Sequence, residues 1–291
     1  MPVALHGVVL AAVSACGFAT LSIFIRMAFN AGVTMTTILS ARFLLGAALL
    51  WLVVFVTGKL SLLRKRDLLP LILLGTLGYG LMSACFAQAV QHLTASLASL
   101  LLYLYPSIVT CISFWRGLLP YSVTKIGALL LSLLGLLLTI GIQGDFSFIG
   151  ISFGLAAAVS YSVYLLFSDR VLRTVDPLIG TTVICTSAGV SYLLVGLLDG
   201  SLQSFLPLQA WLPLIGMAFF STFMAMLCLF AAIRIIGAAR TSIISTLEPL
   251  VTVLLSVLFL SETLLPLQWA GGALIMGGIL LLEKPSDKQK N

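Results

Sequence analysis

Apolar residues fill this chain in long runs separated by short polar connections. A helix needs about 20 apolar residues to cross the roughly 30 Å hydrocarbon core of a bilayer. Ten segments meet that length: 5–28, 36–57, 68–90, 94–115, 122–142, 148–168, 177–198, 210–233, 240–260 and 265–283. The connections leave no room for an inserted soluble domain, and the polar stretch from Pro285 to Asn291 reads as a tail. The pattern predicts an all-α integral membrane protein of ten transmembrane helices.

Composition strengthens that reading. A soluble domain averages roughly a quarter charged residues, whereas this chain is 8% charged and 60% hydrophobic, with a mean hydropathy of +1.19. It cannot cover itself with polar surface, so lipid must be its solvent. The net charge of +6 does not mark a nucleic-acid binder, because the Lys and Arg residues sit at the ends of apolar runs instead of clustering. With the N-terminus placed inside, 13 of the 15 Lys and Arg fall on one side: Lys59, Arg64, Lys65, Arg66, Arg116, Lys125, Arg170, Arg173, Arg234, Arg240, Lys284, Lys288 and Lys290. The remaining two, Arg26 and Arg42, lie within spans toward the other end. Positive charge is retained on the cytoplasmic side, so both termini are expected in the cytoplasm and the protein in the cell inner membrane. Asp145, Asp199 and Glu262 then face out.

The five cysteines, Cys16, Cys85, Cys111, Cys185 and Cys228, all fall in apolar runs and form no CxxC pair. They are expected to be small buried hydrophobes, not metal or redox ligands. Val13-Ser14-Ala15-Cys16 resembles a lipoprotein processing box, but no Lys or Arg precedes it. Without that positive n-region the first run reads as a retained helix.

Sliding the chain on itself by 143 residues, without a gap, superposes Gly7 on Gly150, Gly46 on Gly189, Pro70 on Pro213, Cys85 on Cys228, Ser99 on Ser242, Pro106 on Pro249 and Gly135 on Gly278. Proline and glycine fix backbone geometry, so matched positions imply matched backbones. Residues 1–143 and 144–284 therefore read as two five-span repeats, followed by a tail over 285–291. An odd number of spans forces the second repeat into the membrane upside down. Two halves related by an axis in the membrane plane can exchange conformations around a site near the midplane, the architecture of a secondary transporter.

Several stretches carry a family resemblance. They are Ala41-Arg42-Phe43-Leu44, Ala98-Ser99-Leu100 leading to Tyr105-Pro106, and Thr241-Ser242-Ile243 leading to Leu247-Glu248-Pro249. Leu260-Ser261-Glu262, followed by Gln268-Trp269-Ala270-Gly271, completes the set. On these the chain resembles the EamA-type ten-span group of the drug/metabolite transporter superfamily over nearly its whole length. In the first repeat Leu118-Leu119-Pro120 stands where the family has Leu-Gly-Glu, and Ser261 replaces the Gly of the second. The resemblance implies export of amino acids, other metabolites or drugs by exchange, proton antiport or facilitation. It also implies a cavity between spans 1, 3, 4, 6, 8 and 9, with 5 and 10 peripheral.

Glu248 is the acid nearest the middle of any span, about 12 Å along the ninth at 1.5 Å per residue. An acid at that depth is costly and faces a cavity or a partner. It is either a protonation site or binder of a substrate amine, or a structural acid bonded to a neighbouring helix. Its repeat mate is the neutral Tyr105. Pro106 and Pro249 remove amide donors and free the carbonyls of Leu102 and Ser245, which makes them candidate hinges and Ser245 a candidate contact. Arg42 either snorkels and caps helix carbonyls or serves as an outer gate or carboxylate contact. Tyr79, Tyr103, Tyr105, Tyr161 and Tyr164 form a polar aromatic set. Tyr103 and Tyr105 stand about 200° apart on a regular helix, which allows at most one of them to line a cavity. Gln88 and Gln91 could line an exit path, while His92, Trp115, Trp211 and Trp269 read as interfacial. Gly271, Gly272, Gly277 and Gly278 make the tenth span small on one face, for contact within the chain or across a homodimer seam.

No HExxH, GxSxG or phosphate-binding loop occurs, and no cofactor or metal site is expected. Gly144-Asp145 falls in an outer connection, where it cannot serve an intramembrane protease. The expected partners are a small-molecule substrate, coupling protons and the lipid bilayer, in a monomer or homodimer. The expected function is an alternating-access exporter of small metabolites such as amino acids. A lipid flippase or membrane enzyme on the same scaffold, and a passive channel, stand as alternatives. Cysteines placed at Ser147 and Ser286 should react with a membrane-impermeant maleimide from opposite faces. Reaction from one face would sink the orientation.

Overall fold

The computed structural model describes residues 2–117, 122–140, 147–172 and 174–283. Fourteen α-helices run along them. They are α1 (Pro2–Asn30), α2 (Met35–Val56), α3 (Lys65–Leu73), α4 (Leu81–His92), α5 (Ala95–Leu102), α6 (Tyr105–Trp115), α7 (Val123–Ile140), α8 (Phe148–Leu172), α9 (Pro177–Leu198), α10 (Leu208–Gly216), α11 (Ala225–Ile236), α12 (Ala238–Ser245), α13 (Leu247–Leu260) and α14 (Pro266–Glu283). No strand occurs among the described residues. Apolar segments in lipid must bond every backbone group internally, and the helix does this within one segment. Glycines with positive φ follow five of the helices, Gly32 after α1, Gly58 after α2, Gly117 after α6, Gly200 after α9 and Gly237 after α11.

Helices occupy all ten predicted segments, with ends displaced by a few residues. Among the described residues seven helical segments are long and apolar enough to cross a bilayer, and two of them, Lys65–His92 and Leu208–Ile236, are each built from two α-helices joined through a π-helical stretch. Val123–Thr139, Leu247–Leu260 and Pro266–Leu282 are shorter apolar helices. The irregularities recur at the same offset as the sequence matches. A π-helical stretch, Leu74–Gly80, joins α3 to α4, and another, Met217–Met224, joins α10 to α11. Pro70 and Pro213 stand a turn ahead of them, where each lacks an amide donor and loosens the helix. The helix is broken at Tyr103-Leu104 between α5 and α6, and again at Thr246 between α12 and α13.

The packing has the same recurrence. Helix α1 lies against α11 and α13, as α8 lies against α4 and the α5–α6 pair; α2 packs on α9 and α7 on α14. One core surrounds α2, α4 and α9, built on Phe43, Leu71, Ile179 and Leu214. A second joins α5 and α8 to α14 through Leu101, Ala158 and Ile275.

Both ends of the α2–α9 pair are tied. At one end Asp176 caps α9, accepting from the amides of Leu178 (3.0 Å) and Ile179 (3.4 Å), and it receives Lys59 Nζ at 2.8 Å from the connection after α2. Burial alone would raise the Asp176 carboxyl, but the Lys59 ammonium and the cap amides hold it below its ordinary value. The tie is therefore intact at neutral pH and is lost as acid drives the pH down through that lowered value. At the other end the connection after α9 binds the start of α2. Gln203 Oε1 accepts from the Thr34 amide (2.9 Å), and Thr34 Oγ1 donates to the Ser201 carbonyl (2.7 Å).

One expectation changes, and one pair of alternatives is decided. Cys185 is buried, but Cys16 and Cys111 are exposed on their helices, because an apolar thiol is as acceptable to lipid as to a core. The small face of α14 is used within the chain, since Gly271 and Gly278 meet α7 at Gly135, Thr139, Ser132 and Ala128. Leu118-Leu119-Pro120, Asp145 and the 285–291 tail lie outside the described residues.

A Cβ on Gly135 would stand 2.6 Å from the Gly271 carbonyl oxygen and 2.7 Å from the Ile275 nitrogen, both backbone atoms that cannot yield singly. Gly127 on the same helix faces open space. Gly135→Ala should therefore lower stability by about 1–3 kcal/mol, while Gly127→Ala is neutral or stabilising. Thermal unfolding of the two purified variants compares them, and equal melting temperatures would refute the close α7–α14 contact.

Candidate functional site

The break at Tyr103-Leu104 places the first part of the site. On an uninterrupted helix Tyr103 and Tyr105 would diverge; here the chain turns between them and their ring centroids come to 5.8 Å. Both rings therefore belong to one aromatic line, because the backbone break removes the divergence of about 200° expected on a regular helix. Tyr105 meets Tyr161 edge-on at 4.7 Å, and Tyr161 stacks on Tyr164 at 5.9 Å, one turn along α8. Tyr164 meets Tyr79 at 5.5 Å, and Tyr79 meets Phe43 at 5.6 Å. Ser162 supports the break by donating to the Tyr105 carbonyl at 3.2 Å.

Arg42 closes one end of this line. It is 1% exposed and does not snorkel. Its guanidinium donates to the Tyr79 hydroxyl (3.2 Å) and the Thr222 hydroxyl (3.3 Å) and lies 4.7 Å from the centroid of the Phe43 ring. Tyr79 and Thr222 are 143 residues apart, so one cation is held by equivalent positions of the two halves. No carboxylate lies within ion-pair distance of Arg42 among the described residues. A buried cation held only by neutral hydroxyls and a ring keeps attraction in reserve for an anion.

Glu248 closes the other end, in the first turn of α13 just after the break at Thr246. Its side chain is half-buried. The Tyr103 hydroxyl approaches its carboxyl, and Tyr161 and Tyr79 lie within reach of its charge. Tyr79 thus feels both Arg42 and Glu248. Pro249 follows at a buried position of the same turn, as Pro106 does in the first turn of α6, so both prolines sit on the C-terminal side of their breaks.

Seven predicted residues are therefore joined: Arg42, Tyr79, Tyr164, Tyr161, Tyr105, Tyr103 and Glu248. Gln88 and Ser245 are not joined to them by any described bond. Gln88 donates to Met35 Sδ at 3.3 Å, and Ser245 turns back to the Thr241 carbonyl at 3.0 Å. Thr222 and Tyr192 were missed. Thr222 is the repeat mate of Tyr79, a signal present in the offset. Tyr192 stacks on Phe43 at 6.2 Å and donates to the Gly80 carbonyl at the end of the π-helical stretch, for which the sequence has no mark.

A second polar cluster binds the halves beyond this line. Glu262, between α13 and α14, accepts from the amides of Ala95 (2.6 Å) and Ser96 (3.2 Å) and from Ser96 Oγ (2.7 Å), capping the start of α5. Arg26 donates to the Leu93 and Gln91 carbonyls at the end of α4. No group of three or more His, Cys, Asp or Glu side chains that could hold a metal occurs among the described residues.

Fold and site together describe a polytopic helical membrane protein with a polar line buried between its halves. The profile of the EamA-like transporter family matches residues 5–141 and again 148–283. The chain belongs to that family. It is 28% identical to an uncharacterized transporter of Archaeoglobus fulgidus over 198 residues, covering 68% of this chain and 70% of that protein. It is 26% identical to the uncharacterized transporter YcbK of Bacillus subtilis over 262 residues, covering 85% of this chain and 83% of the other. A crystal structure 20% identical in sequence shares the fold, with a TM-score of 0.69 over 94% of this chain and 95% of that one.

The surroundings of Arg42 predict an asymmetry between two substitutions. Tyr79→Phe removes a partner from a buried charge and should cost about 1.5–3 kcal/mol of stability. Arg42→Met removes the charge itself and should be neutral or stabilising, while abolishing transport. Thermal unfolding in detergent compares them, and an Arg42→Met loss as large as that of Tyr79→Phe would make Arg42 a structural keystone.

Proposed function

We propose that this protein is a secondary transporter that exports amino acids or related small amphipathic metabolites by alternating access. In this reading ten spans form two five-helix repeats of opposite insertion, residues 1–143 and 144–284, with both termini in the cytoplasm and the protein in the inner membrane. The offset of 143 residues, shared by prolines, π-helical stretches and helix breaks, supports the repeat. The skewed Lys and Arg support the orientation.

The observation that carries the function is the pairing of opposite charges at the ends of one tyrosine line. Arg42 offers a cation without a carboxylate partner among the described residues, and Glu248 offers an anion at a helix break. Each end suits one group of an amino acid, Arg42 its carboxylate and Glu248 its ammonium, engaged at different positions along the line with an apolar side chain against the rings. Glu248 also provides a proton acceptor, so the substrate amine and a proton compete for one carboxylate, and uptake of one accompanies release of the other. Coupling of export to proton entry follows from that competition.

The test is counterflow and gradient-driven uptake of amino acids by the purified protein in liposomes. Glu248→Gln should insert normally yet lose the response to an imposed pH gradient. Uptake that responds equally in both proteins would end the coupling role. Failure of every amino acid to exchange would end the substrate assignment.

A further inference from the structure

On the outer face of the bundle a groove of about 490 Å³ runs between the third span and α8. Leu73, Leu77 and Leu81 form one wall, Val163 and Phe167 the other, and Tyr164 lies among the lining residues. The Tyr164 ring lies there because Gly78 has no side chain; a Cβ on Gly78 would stand 2.8 Å from that ring. The groove is almost wholly apolar, and the wall leucines are exposed.

The repeat-related cleft lies between α1 and the span built from α10 and α11. The repeat mates of Leu77 and Phe167 are Phe220 and Phe24, and these two rings stack at 6.4 Å across the equivalent cleft. Phe24 also lies against Gly216, where an added Cβ would stand 2.6 Å from the ring. One cleft is thus filled by the chain's own rings, and the other is left for something else to fill.

Two features define the occupant. From Pro70 to Leu81 the groove rises about 16 Å at 1.5 Å per residue, close to the roughly 15 Å depth of one leaflet of a 30 Å hydrocarbon core. Positive charge stands at its end. Arg66, Pro70, Leu73, Leu77 and Leu81 follow one stripe of the third span; the Arg66 side chain is 71% exposed, next to Lys65, and its Nε lies 3.7 Å from Asp67 Oδ1, which leaves the net charge of the three positive. The mates of Lys65 and Arg66 are Leu208 and Gln209, so the charge stands beside this cleft and not beside its repeat-related counterpart. Basic side chains at a membrane boundary attract anionic headgroups.

We propose that this groove is a binding site for one anionic phospholipid, with an acyl chain between the third span and α8 and the phosphate at Arg66 and Lys65. The chain then packs against Tyr164, which is itself packed on Tyr79 and Tyr161. A bound lipid wedges the two spans at the distance that keeps the tyrosine line assembled. The site is independent of the transport substrate.

Native mass spectrometry of the full chain, released from vesicles holding equal phosphatidylglycerol and phosphatidylcholine of identical acyl chains, tests it. The wild type should retain phosphatidylglycerol in preference. Arg66→Gln should reduce that retention severalfold and leave phosphatidylcholine unchanged. Leu77→Phe, which installs the other half's residue, should reduce retention of both. Equal retention of the two lipids by the wild type, or wild-type retention by either variant, overturns the proposal. Unchanged lipid retention by Leu77→Phe with impaired transport makes the groove a substrate doorway and also overturns it. If Leu77→Phe aggregates on size exclusion, Arg66→Gln, altered at an exposed position, decides alone.

Discussion

Hydrocarbon offers no hydrogen bonds, so a chain that crosses it must bond its own backbone or place each irregularity against protein or water. That constraint governs where this protein can do chemistry. The described spans hold two π-helical stretches and two breaks, and the polar line is built on them. Tyr79 lies in the first π-helical stretch and Thr222 in the second; Tyr103 and Tyr105 flank one break, and Glu248 follows the other. Carbonyls near the π-helical stretches find partners on adjoining helices, Tyr192 for Gly80 and Ser14 for Ala225. The regular helices insulate, and the irregular turns present function.

Much of this was legible in the sequence because it is written in apolar length and in proline. The ten runs located the helices, Pro106 and Pro249 foretold the breaks, and the intramembrane Glu248 marked one end of the line. Other parts depended on distances no local pattern encodes. The turn at Leu104 brings Tyr103 and Tyr105 together, although helical periodicity separates them. The fate of Arg42 turned on which hydroxyls stand opposite it, and those come from helices far along the chain. Ser245 looked available because Pro249 frees its carbonyl, yet its hydroxyl is engaged one turn back. Exposed cysteines escaped notice for a simpler reason: in lipid, hydrophobicity no longer distinguishes inside from outside.

The two halves agree in backbone and disagree in side chains. Helix limits, π-helical stretches, breaks and glycine contacts repeat, so both halves can adopt each other's shape. The chemical groups do not repeat. Arg42 answers to Cys185, Glu248 to Tyr105, Tyr79 to Thr222, and the Phe24–Phe220 stack to a groove. In the alternating access proposed above, a symmetric frame would give two exchangeable conformations of similar energy. Asymmetric contents make those conformations distinguishable to a ligand, without which binding could not bias one over the other.

The pair of helices tied at both ends has a mechanical meaning. Lys59 on Asp176 at one end, and Ser201 and Gln203 on Thr34 at the other, fasten α2 and α9 like the two rungs of a ladder. A ladder so braced cannot shear along its length without breaking a rung. Between the rungs sit Arg42 and Cys185, each about a third of the way along its own helix. Rocking of the other spans would leave Arg42 nearly stationary, a fulcrum against which the line of tyrosines tilts. Cargo leaning on that guanidinium would stay put while the walls changed places around it.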